Sequence, residues 1–544
     1  MQLLQTTSAP QPPMDPYAYT SGCWLRNHAA ETAARQLRFD FDGLCRRAVA
    51  CRPGASKVVR WEKHEGSYNR AFVLHLDDGS TLVARVPFPA AGPPRLVTNS
   101  EVATMAYLRK MTSIPIPEVL DWSDDPLNPL KTEYIIMQHV EGIQLRDRWD
   151  AMSPQEHLLC VKSLALLAKE MHSLQFPAYG SIYFDSASVD ARHRIPLLDG
   201  FFIGPSLAHR YWAECAPGEG RWYKRCQPNR GPWTTFEAFT QGLLDTGVSH
   251  FPPGTAPGTP EYYGTVEENL DLLAALGKVT AELSKDPRIQ MVSEPKLFHN
   301  DLHMRNIFVS RDDATKITGV IDWQSTTLDP VLLYAHMTPD LCISPRFPED
   351  LLGEEGEKER NGDDVYETAA TAAEREKIQS DVDRCRKTWE LSLHVHARKL
   401  HDARALDEAL LRPYRQCFST WQYGATAARD VLKELSARWS ELALPGQPPY
   451  QTTDEELVRD AKRSEDFQAV LTLEKWHQHA LDVGSDGWVP TERWDDVLEL
   501  HEEFYNNWMA AARTAGDEGM TEEKAAKMWR FDPPVSLRQI GRAG

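Results

Sequence analysis

The chain has 544 residues, of which 60 are Lys or Arg and 79 are Asp or Glu, so its formal net charge is −19. A hydrophobic share of 42% and a charged share of 26% are typical of globular proteins and exclude collagenous, fibrous and wholly disordered classes. A generic nucleic-acid binder is also excluded, because binding to a phosphate backbone depends on clustered Lys and Arg. No apolar run approaches the roughly eighteen residues of a membrane span, so none is predicted.

The first 55 residues are predicted to form an N-terminal extension. Residues 1–25 contain no Lys or Arg, which fits neither a secretory signal nor a mitochondrial transit peptide. Met1–Pro16 is predicted as a flexible tail, and Asp40–Ala50 as a short amphipathic helix. The nine cysteines are scattered without a C-x-x-C pair, which argues against a disulfide scaffold or a structural zinc site and for a reducing compartment.

Residues 56–143 are predicted to form a small lobe built on an antiparallel sheet. The Asp78-Gly79 pair is typical of a tight hairpin turn between two of its strands. The predicted elements are strands over Lys57–His64, Arg70–Leu76 and Thr81–Pro87, a helix over Val97–Lys110, a short strand at Val119–Leu120 and a buried strand over Tyr134–Val140.

Helical patterns dominate after residue 143, and they predict a larger lobe. Ser153 and Glu156 form a capping box that begins a helix, and Thr265–Ser284 is a second helix. Residues 176–260 are rich in Pro, Gly and Trp and are predicted as irregular structure with short helices. Residues 349–384 carry thirteen acidic and five basic side chains, which is typical of a solvated, flexible insertion. The predicted boundaries are therefore 144–345 for the larger lobe, 346–384 for the insertion and 385–544 for C-terminal helices that complete the lobe.

The strongest chemical signal is the run LFHNDLHMRNIFV over residues 297–309. It places His299, Asp301 and Asn306 in one H-x-D-x-x-x-x-N loop, and a second apolar run ends in Asp322 sixteen residues later. The apolar residues between them read as two short strands that return beside each other. This is the layout that metal-assisted phosphoryl transfer needs.

The physical reason is the charge of the ATP triphosphate. ATP is used with Mg²⁺, which prefers hard oxygen ligands in octahedral geometry. Asn306 and Asp322 supply such oxygens from two different loops, and Asp301 would orient an acceptor hydroxyl and accept its proton. The expected cofactors are therefore ATP and Mg²⁺.

The runs FHNDLHMRNIFV and KITGVIDWQS resemble the aminoglycoside phosphotransferase branch of the protein-kinase-like fold. Within that phosphotransferase family, YTSGCWLR (residues 19–26) and YGSIYF (residues 179–184) resemble a fungal group named for altered inheritance of mitochondria. His303 and Trp323 differ from the residues that protein kinases usually carry there, which favours the small-molecule kinase side. The resemblance implies an α+β fold with a small antiparallel-sheet N-lobe and a large, mainly helical C-lobe.

The resemblance also implies roles for individual residues. Asp301 would be the catalytic base, and Asn306 and Asp322 would be the Mg²⁺ ligands. Arg85 stands where this fold usually has Lys, with Glu101 as its helix partner. The remaining nucleotide contacts would come from the loop Glu65–Asn69, with Gly66 and Ser67 over the phosphates, and from the hinge residues Met137, Gln138, His139 and Val140 beside the adenine.

Several alternatives stay open from the sequence. The first function is a phosphotransferase acting on a hydroxyl of an unidentified small molecule. The second is a nucleotide-binding pseudokinase or scaffold, suggested by Arg85 and by the single glycine of the phosphate loop, and the third is a protein kinase. Arg85 and Glu101 could instead form a surface ion pair of little energetic weight. His299 is expected to hold the loop through backbone contacts, and His303 to be open to substrate or phosphate. The resemblance implies a mitochondrial location, with the cytoplasm as the alternative.

Overall fold

The computed structural model describes residues 15–212, 227–251, 260–335, 337–343, 372–452, 454–514 and 520–534. The chain begins with strand β1 (Gly22–Trp24) and helices α1 (His28–Ala34) and α2 (Phe41–Ala50). Helix α2 confirms the helix predicted over 40–50, and its first turn is capped by the Asp40 carboxylate, which accepts from the Gly43 N–H at 2.8 Å. The tail predicted at 1–16 lies almost wholly outside the described residues.

The small lobe is a five-stranded antiparallel sheet in the order β2-β3-β4-β6-β5. Alternate residues of β3, including Phe72 and Leu74, are buried under α2, as a two-residue period requires. The opposite face of the sheet carries Arg85 toward the cleft. Its elements are β2 (Val58–Glu65), β3 (Asn69–Leu76), β4 (Thr81–Pro87), α3 (Leu96–Met111), β5 (Val119–Ser123) and β6 (Tyr134–Gln138), which confirms the predicted order.

The larger lobe is mainly helical, as expected, and the predicted capping box at Ser153 and Glu156 is present. Its first elements are β7 (Ile143–Gln144), α4 (Leu145–Trp149), α5 (Pro154–Ser173), β8 (Ser181–Phe184), β9 (Ile195–Leu198), β10 (Phe201–Gly204), α6 (Phe236–Ser249), α7 (Val266–Leu283), α8 (Pro287–Met291), β11 (Pro295–Phe298), β12 (Ile307–Val309), β13 (Ile317–Val320) and β14 (Thr327–Pro330). The region predicted as irregular therefore contains the three-stranded sheet β8-β10-β9. Its strands have only four residues each, too few for a period-two pattern to stand out.

Helix α3 is held between the sheet of the small lobe and the β8-β10-β9 sheet. Nine consecutive residues, Val97–Met105, are buried, so more than two full turns are covered on every side. Asn99 ties the helix to both neighbours: its amide oxygen accepts from the Phe184 N–H at 3.1 Å, and its Nδ2 donates to Asp124 at 2.9 Å. Packing and the hydrogen bonds of Asn99 therefore fix the position of Glu101 on this helix.

The C-terminal helices pack against the larger lobe, and one predicted boundary needs correction. The elements are α9 (Ala372–His396), α10 (Arg398–Arg404), α11 (Glu408–Ala437), α12 (Asp454–Ala480), β15 (Trp488–Pro490), α13 (Trp494–Thr514) and α14 (Glu522–Met528). Residues 344–371 of the predicted acidic insertion lie outside the described residues. Residues 372–384 are helical, because Asp381 bonds to buried His157 on α5 at 2.5 Å and Cys385 is buried beside it. The insertion thus ends near residue 371, not 384.

The two ends of the described chain meet in one small cluster. Strand β1 pairs with β15, and Leu25 bonds through its backbone to Gly487 and Asp532, each at 2.9 Å. Leu25, Val489, Trp529 and Phe531 form the buried centre of this cluster. The N-terminal extension is therefore an integral part of the fold. Over the described ranges, no helix is long and apolar enough to cross a membrane.

Two buried histidines in this cluster predict that acid destabilises the protein. Burial lowers the pKa of His477 and of His501 to about 4, and neither ring nitrogen of His477 has a hydrogen-bond partner among the described residues. The unfolded chain takes up these protons first, so stability is complete above pH ~6.5 and falls as the pH drops toward ~4, by roughly 3 kcal/mol per ring. Urea unfolding at several pH values measures this, and His477→Phe should remove about half of the fall. The exposed control His193→Gln should leave it unchanged, and an equal fall in His477→Phe would contradict the assignment.

Candidate active site

The catalytic loop lies between β11 and β12 and is organised by His299. The Asp301 N–H donates to His299 Nδ1 at 3.2 Å, and His299 Nε2 donates to the Ile321 carbonyl at 2.9 Å. Since one ring nitrogen accepts and the other donates, the imidazole is neutral, and burial lowers its pKa accordingly. His299 therefore joins the loop to the end of β13 through backbone groups, as expected from the sequence.

Asp301 presents an exposed carboxylate at the centre of the loop. Its side chain is 56% exposed, and one oxygen lies 2.9 Å from His303 Nε2. The other oxygen accepts from Asn306 Nδ2 at 3.1 Å. The hydrogen bond from His303 lowers the pKa of Asp301 and raises that of His303, so Asp301 is an anion at neutral pH. The structure thus places His303 within hydrogen-bonding distance of Asp301, the predicted catalytic base.

Asn306 and Asp322 are brought side by side by the register of one hairpin. Ile307 pairs with Val320, and the Ile321 N–H donates to the Asn306 carbonyl at 3.0 Å, one residue before Asp322. Asp322 has a left-handed backbone with φ of 65°, and the turn is anchored by buried Trp323, whose indole N–H donates to the Val320 carbonyl at 3.0 Å. This explains why a Trp follows the Asp.

The predicted metal ligands fit a hard divalent cation. Asn306 Nδ2 donates both to the Asp301 backbone carbonyl at 2.9 Å and to its carboxylate, which turns the amide oxygen of Asn306 away from Asp301. Asp322 is 30% exposed, so its carboxylate can be reached from the cleft. One carboxylate and one amide oxygen are ligands of the kind that Mg²⁺ accepts.

Arg85 lies at the junction of the two lobes and is only 7% exposed, so it does not form a surface ion pair. Its Nη1 bonds to Glu101, and its Nη2 bonds to Asp322 at 2.6 Å and to Gln324. When the Asn69 amide is oriented so that its oxygen faces donors and its nitrogen faces acceptors, its oxygen is a fourth acceptor for Arg85. This oxygen lies 3.2 Å from Arg85 Nε. Burial raises the pKa of Glu101, and the adjacent guanidinium of Arg85 opposes that rise. One guanidinium is thus shared between the carboxylates of Glu101 and Asp322.

The predicted phosphate loop is a tight turn. Strand β2 ends at Glu65 and β3 begins at Asn69, which leaves only Gly66, Ser67 and Tyr68 at the tip. The Gly66 N–H donates to the Asn69 carbonyl at 2.9 Å and closes the turn. A Cβ on Gly66 would come no closer than 3.8 Å to Asn69, so packing within the protein does not require glycine there.

The hinge leads from β6 to β7. Met137 is buried, whereas Gln138 and His139 are exposed. Gly142 ends the hinge with φ of 134°, and a Cβ there would lie 2.3 Å from the Val309 carbonyl oxygen, so only glycine fits. Gln138, His139 and Val140 line a cavity of about 550 Å³ together with Thr81 and Thr318; its lining includes none of the predicted catalytic or metal residues.

Four contacts of this site were not expected from the sequence. Asn69 and Gln324 bind the guanidinium of Arg85, and Arg35 donates to the Ser67 carbonyl. Tyr68 stacks on His209 of the larger lobe, with ring centroids 4.3 Å apart. Each contact joins residues that are separated in the sequence, so no pattern within a short window predicts it. Gln324 nevertheless follows the predicted metal ligand Asp322 by two residues.

Comparison with known proteins gives a family and several distant relatives. The sequence profile of the phosphotransferase enzyme family, which includes the aminoglycoside phosphotransferases, matches residues 62–333. A subtelomeric hrmA-associated cluster protein of Aspergillus fumigatus is 31% identical over 315 residues, which are 51% of this chain and 59% of that protein. The chain thus spans less than two thirds of that relative.

Several relatives carry the name altered inheritance of mitochondria protein 9, mitochondrial. The Yarrowia lipolytica protein is 26% identical over 60% of each chain, and the Saccharomyces cerevisiae protein is 22% identical over 94% of this chain and 91% of its own. Among solved structures, a thermostable aminoglycoside phosphotransferase in a ternary complex with ADP and hygromycin B is 16% identical, with a TM-score of 0.34 over 71% of this chain and 94% of its own. The family match covers half of the chain and contains the whole H-x-D-x-x-x-x-N loop and Asp322, so this protein belongs to the phosphotransferase enzyme family.

Proposed function

We propose that this protein is a Mg²⁺- and ATP-dependent phosphotransferase that transfers the γ-phosphate to a hydroxyl group of a small molecule. The observation that carries the proposal is the chain of contacts from Asp301 through Asn306 to the turn at Asp322, and from Asp322 to buried Arg85. These are the groups that phosphoryl transfer requires, and the reaction otherwise depends on positioning and charge neutralisation.

Asp301 is the group that meets the acceptor in this proposal. Its exposed carboxylate accepts the hydrogen bond of the acceptor hydroxyl and takes its proton as the oxygen bonds to the γ-phosphorus and the bond to ADP breaks. Asn306 fixes the carboxylate from one side and His303 from the other. Asn306 and Asp322 would hold Mg²⁺, which supplies charge neutralisation to the phosphates.

The proposed nucleotide contacts are those expected from the sequence. Gly66 and Ser67 lie over the phosphates, Arg85 with Glu101 forms the ion pair at the back of the cleft, and the hinge residues 137–140 meet the adenine. Support comes from Gly66, where an added Cβ would meet no atom closer than 3.8 Å, and from the exposure of Gln138 and His139. We also propose a mitochondrial location, because several relatives carry that word in their names.

A second candidate is a nucleotide-binding protein with little turnover. The four acceptors around Arg85 favour it, since its Nε, Nη1 and Nη2 groups all point to protein atoms and few N–H groups are left for phosphate. Phosphate release or transfer from labelled ATP, measured alone and with a pooled metabolite extract, distinguishes the two. Binding of ATP without any transfer would favour the second candidate.

Replacing Asp301 tests the proposed base. Asp301→Asn should lower phosphate transfer by about 10²–10⁴-fold, because the amide cannot accept the proton. Binding of ATP, followed by calorimetry, should stay within about twofold, since the side chain lies on the acceptor side. The exposed control Asp312→Asn should behave like the wild type. Full activity in Asp301→Asn would show that this residue is not the base.

Replacing Gly66 tests the phosphate loop. Gly66→Val should fold normally, because a Cβ there meets no atom closer than 3.8 Å. It should weaken ATP binding by about tenfold, roughly 1.4 kcal/mol, because the branched side chain occupies the space that a phosphate needs. Gly54→Val serves as the matched control at the exposed turn before β2, where a Cβ would come no closer than 3.6 Å to Asp78. Unchanged ATP affinity in Gly66→Val would place the phosphates elsewhere.

Replacing Arg85 tests whether its ion pairs hold the lobes. Arg85→Ala leaves Glu101 buried without its cation and should lower the free energy of unfolding by ~3 kcal/mol, whereas Arg85→Lys should lower it less. Arg60, whose side chain is 69% exposed beside Glu62, offers a matched surface ion pair, and Arg60→Ala should cost ~0.5 kcal/mol or less. Chemical denaturation measures all three, and equal losses at Arg85 and Arg60 would contradict the structural role.

A further inference from the structure

The two flanks of the phosphate loop are bound by a segment that lies outside the family match. Glu65 ends β2 and Arg70 follows on β3, and their fully buried side chains form an ion pair at 2.7 Å. The remaining carboxylate oxygen of Glu65 accepts from the backbone N–H groups of Thr20 and Ser21 at 2.8 and 3.1 Å. Arg70 in turn donates to the Tyr17 carbonyl at 2.9 Å. Residues 17–21 thus support both flanks of the phosphate loop through hydrogen bonds to Glu65 and Arg70.

The tip of the loop is held from the same side by Arg35. This residue follows α1 and is only 4% exposed. Its Nη1 pairs with the Glu31 carboxylate at 2.5 Å, and its guanidinium lies 4.3 Å from the centre of the Trp24 ring. Its Nε donates to the Ser67 carbonyl at 3.1 Å. Because its charge is already paired and buried, Arg35 acts on the tip through this hydrogen bond and not as a free cation.

The hydrogen bond fixes the orientation of one peptide group. In a trans peptide the carbonyl and the following N–H point in opposite directions, so the Tyr68 N–H points away from Arg35. Within the described residues, that N–H has no hydrogen-bond partner. The Tyr68 carbonyl is held separately by the Phe88 N–H at 2.9 Å, and the Tyr68 ring lies on His209. A free backbone N–H at the tip is a donor suited to an anionic oxygen.

We propose that Arg35 is a positioning residue for the phosphates of the nucleotide: by holding the Ser67 carbonyl, it presents the Tyr68 N–H to a phosphate oxygen. This inference rests on the proposed nucleotide-binding function and assigns part of it to the N-terminal segment. Without Arg35 the peptide group between Ser67 and Tyr68 can rotate, and the Ser67 carbonyl oxygen then faces and repels the phosphate.

The experiment compares ligands with and without phosphates. Affinities for ATP and for adenosine are measured by calorimetry on the full chain, with thermal melting as a check of folding. Arg35→Ala should weaken ATP binding by roughly tenfold and leave adenosine binding within about twofold. Arg35→Lys, whose ammonium can still donate to the Ser67 carbonyl, should recover part of the ATP affinity. The exposed neighbour provides the control Arg38→Ala, which should match the wild type.

The outcomes separate this inference from the proposed function. If ATP and adenosine affinities fall together in both Arg35 variants, Arg35 supports the fold only and the inference is overturned. If both affinities stay unchanged, it is overturned as well, while nucleotide binding stands. If the wild type binds neither ATP nor adenosine, the proposed function itself fails. Should Arg35→Ala not fold, Arg35→Lys alone decides, since a selective loss of ATP affinity supports the inference and unchanged or parallel affinities reject it.

Discussion

The buried guanidinium of Arg85 is the interaction on which the rest of the site depends. One positive charge lies between Glu101 on α3 and Asp322 beyond β13, so it joins the sheet, the helix of the small lobe and the catalytic hairpin of the larger lobe. Removing Arg85 leaves buried Glu101 without its cation, which costs several kcal/mol. The relative positions of these three elements are therefore coupled.

The burial of α3 explains how Glu101 is positioned for this cluster. The helix is enclosed by the small-lobe sheet on one side and by the β8-β10-β9 sheet on the other, and Asn99 bonds to both neighbours. A helix exposed on one face can shift or rotate, but here a shift would open cavities on every side. Glu101 is therefore held in position by packing, and the ion pair with Arg85 is part of the resting fold.

The sequence predicted the features that depend on local spacing. The H-x-D-x-x-x-x-N loop, the hairpin that brings Asn306 beside the Asp322 turn, and the antiparallel order of the small lobe follow from patterns within short windows. Contacts between distant segments were missed. The support of the phosphate loop by residues 17–21 and Arg35 and the stacking of Tyr68 on His209 follow from tertiary packing. No periodic pattern in the sequence predicts such contacts. Residues 372–384 were predicted to belong to the insertion because they are rich in acidic side chains. Their composition does not reveal that this part of α9 packs against α5.

The pairing of β1 with β15 has a consequence for the order in which the molecule can be completed. Strand β1 belongs to the segment that supports the phosphate loop, yet its partner is Trp488–Pro490, more than 450 residues further along the chain. During synthesis on a ribosome, the H-x-D-x-x-x-x-N loop and the whole small lobe emerge well before that partner does. The support of the loop is thus finished only after residues 488–490 have been made, so a chain truncated before residue 488 would keep every residue of the chemical motif and lack the strand that secures β1.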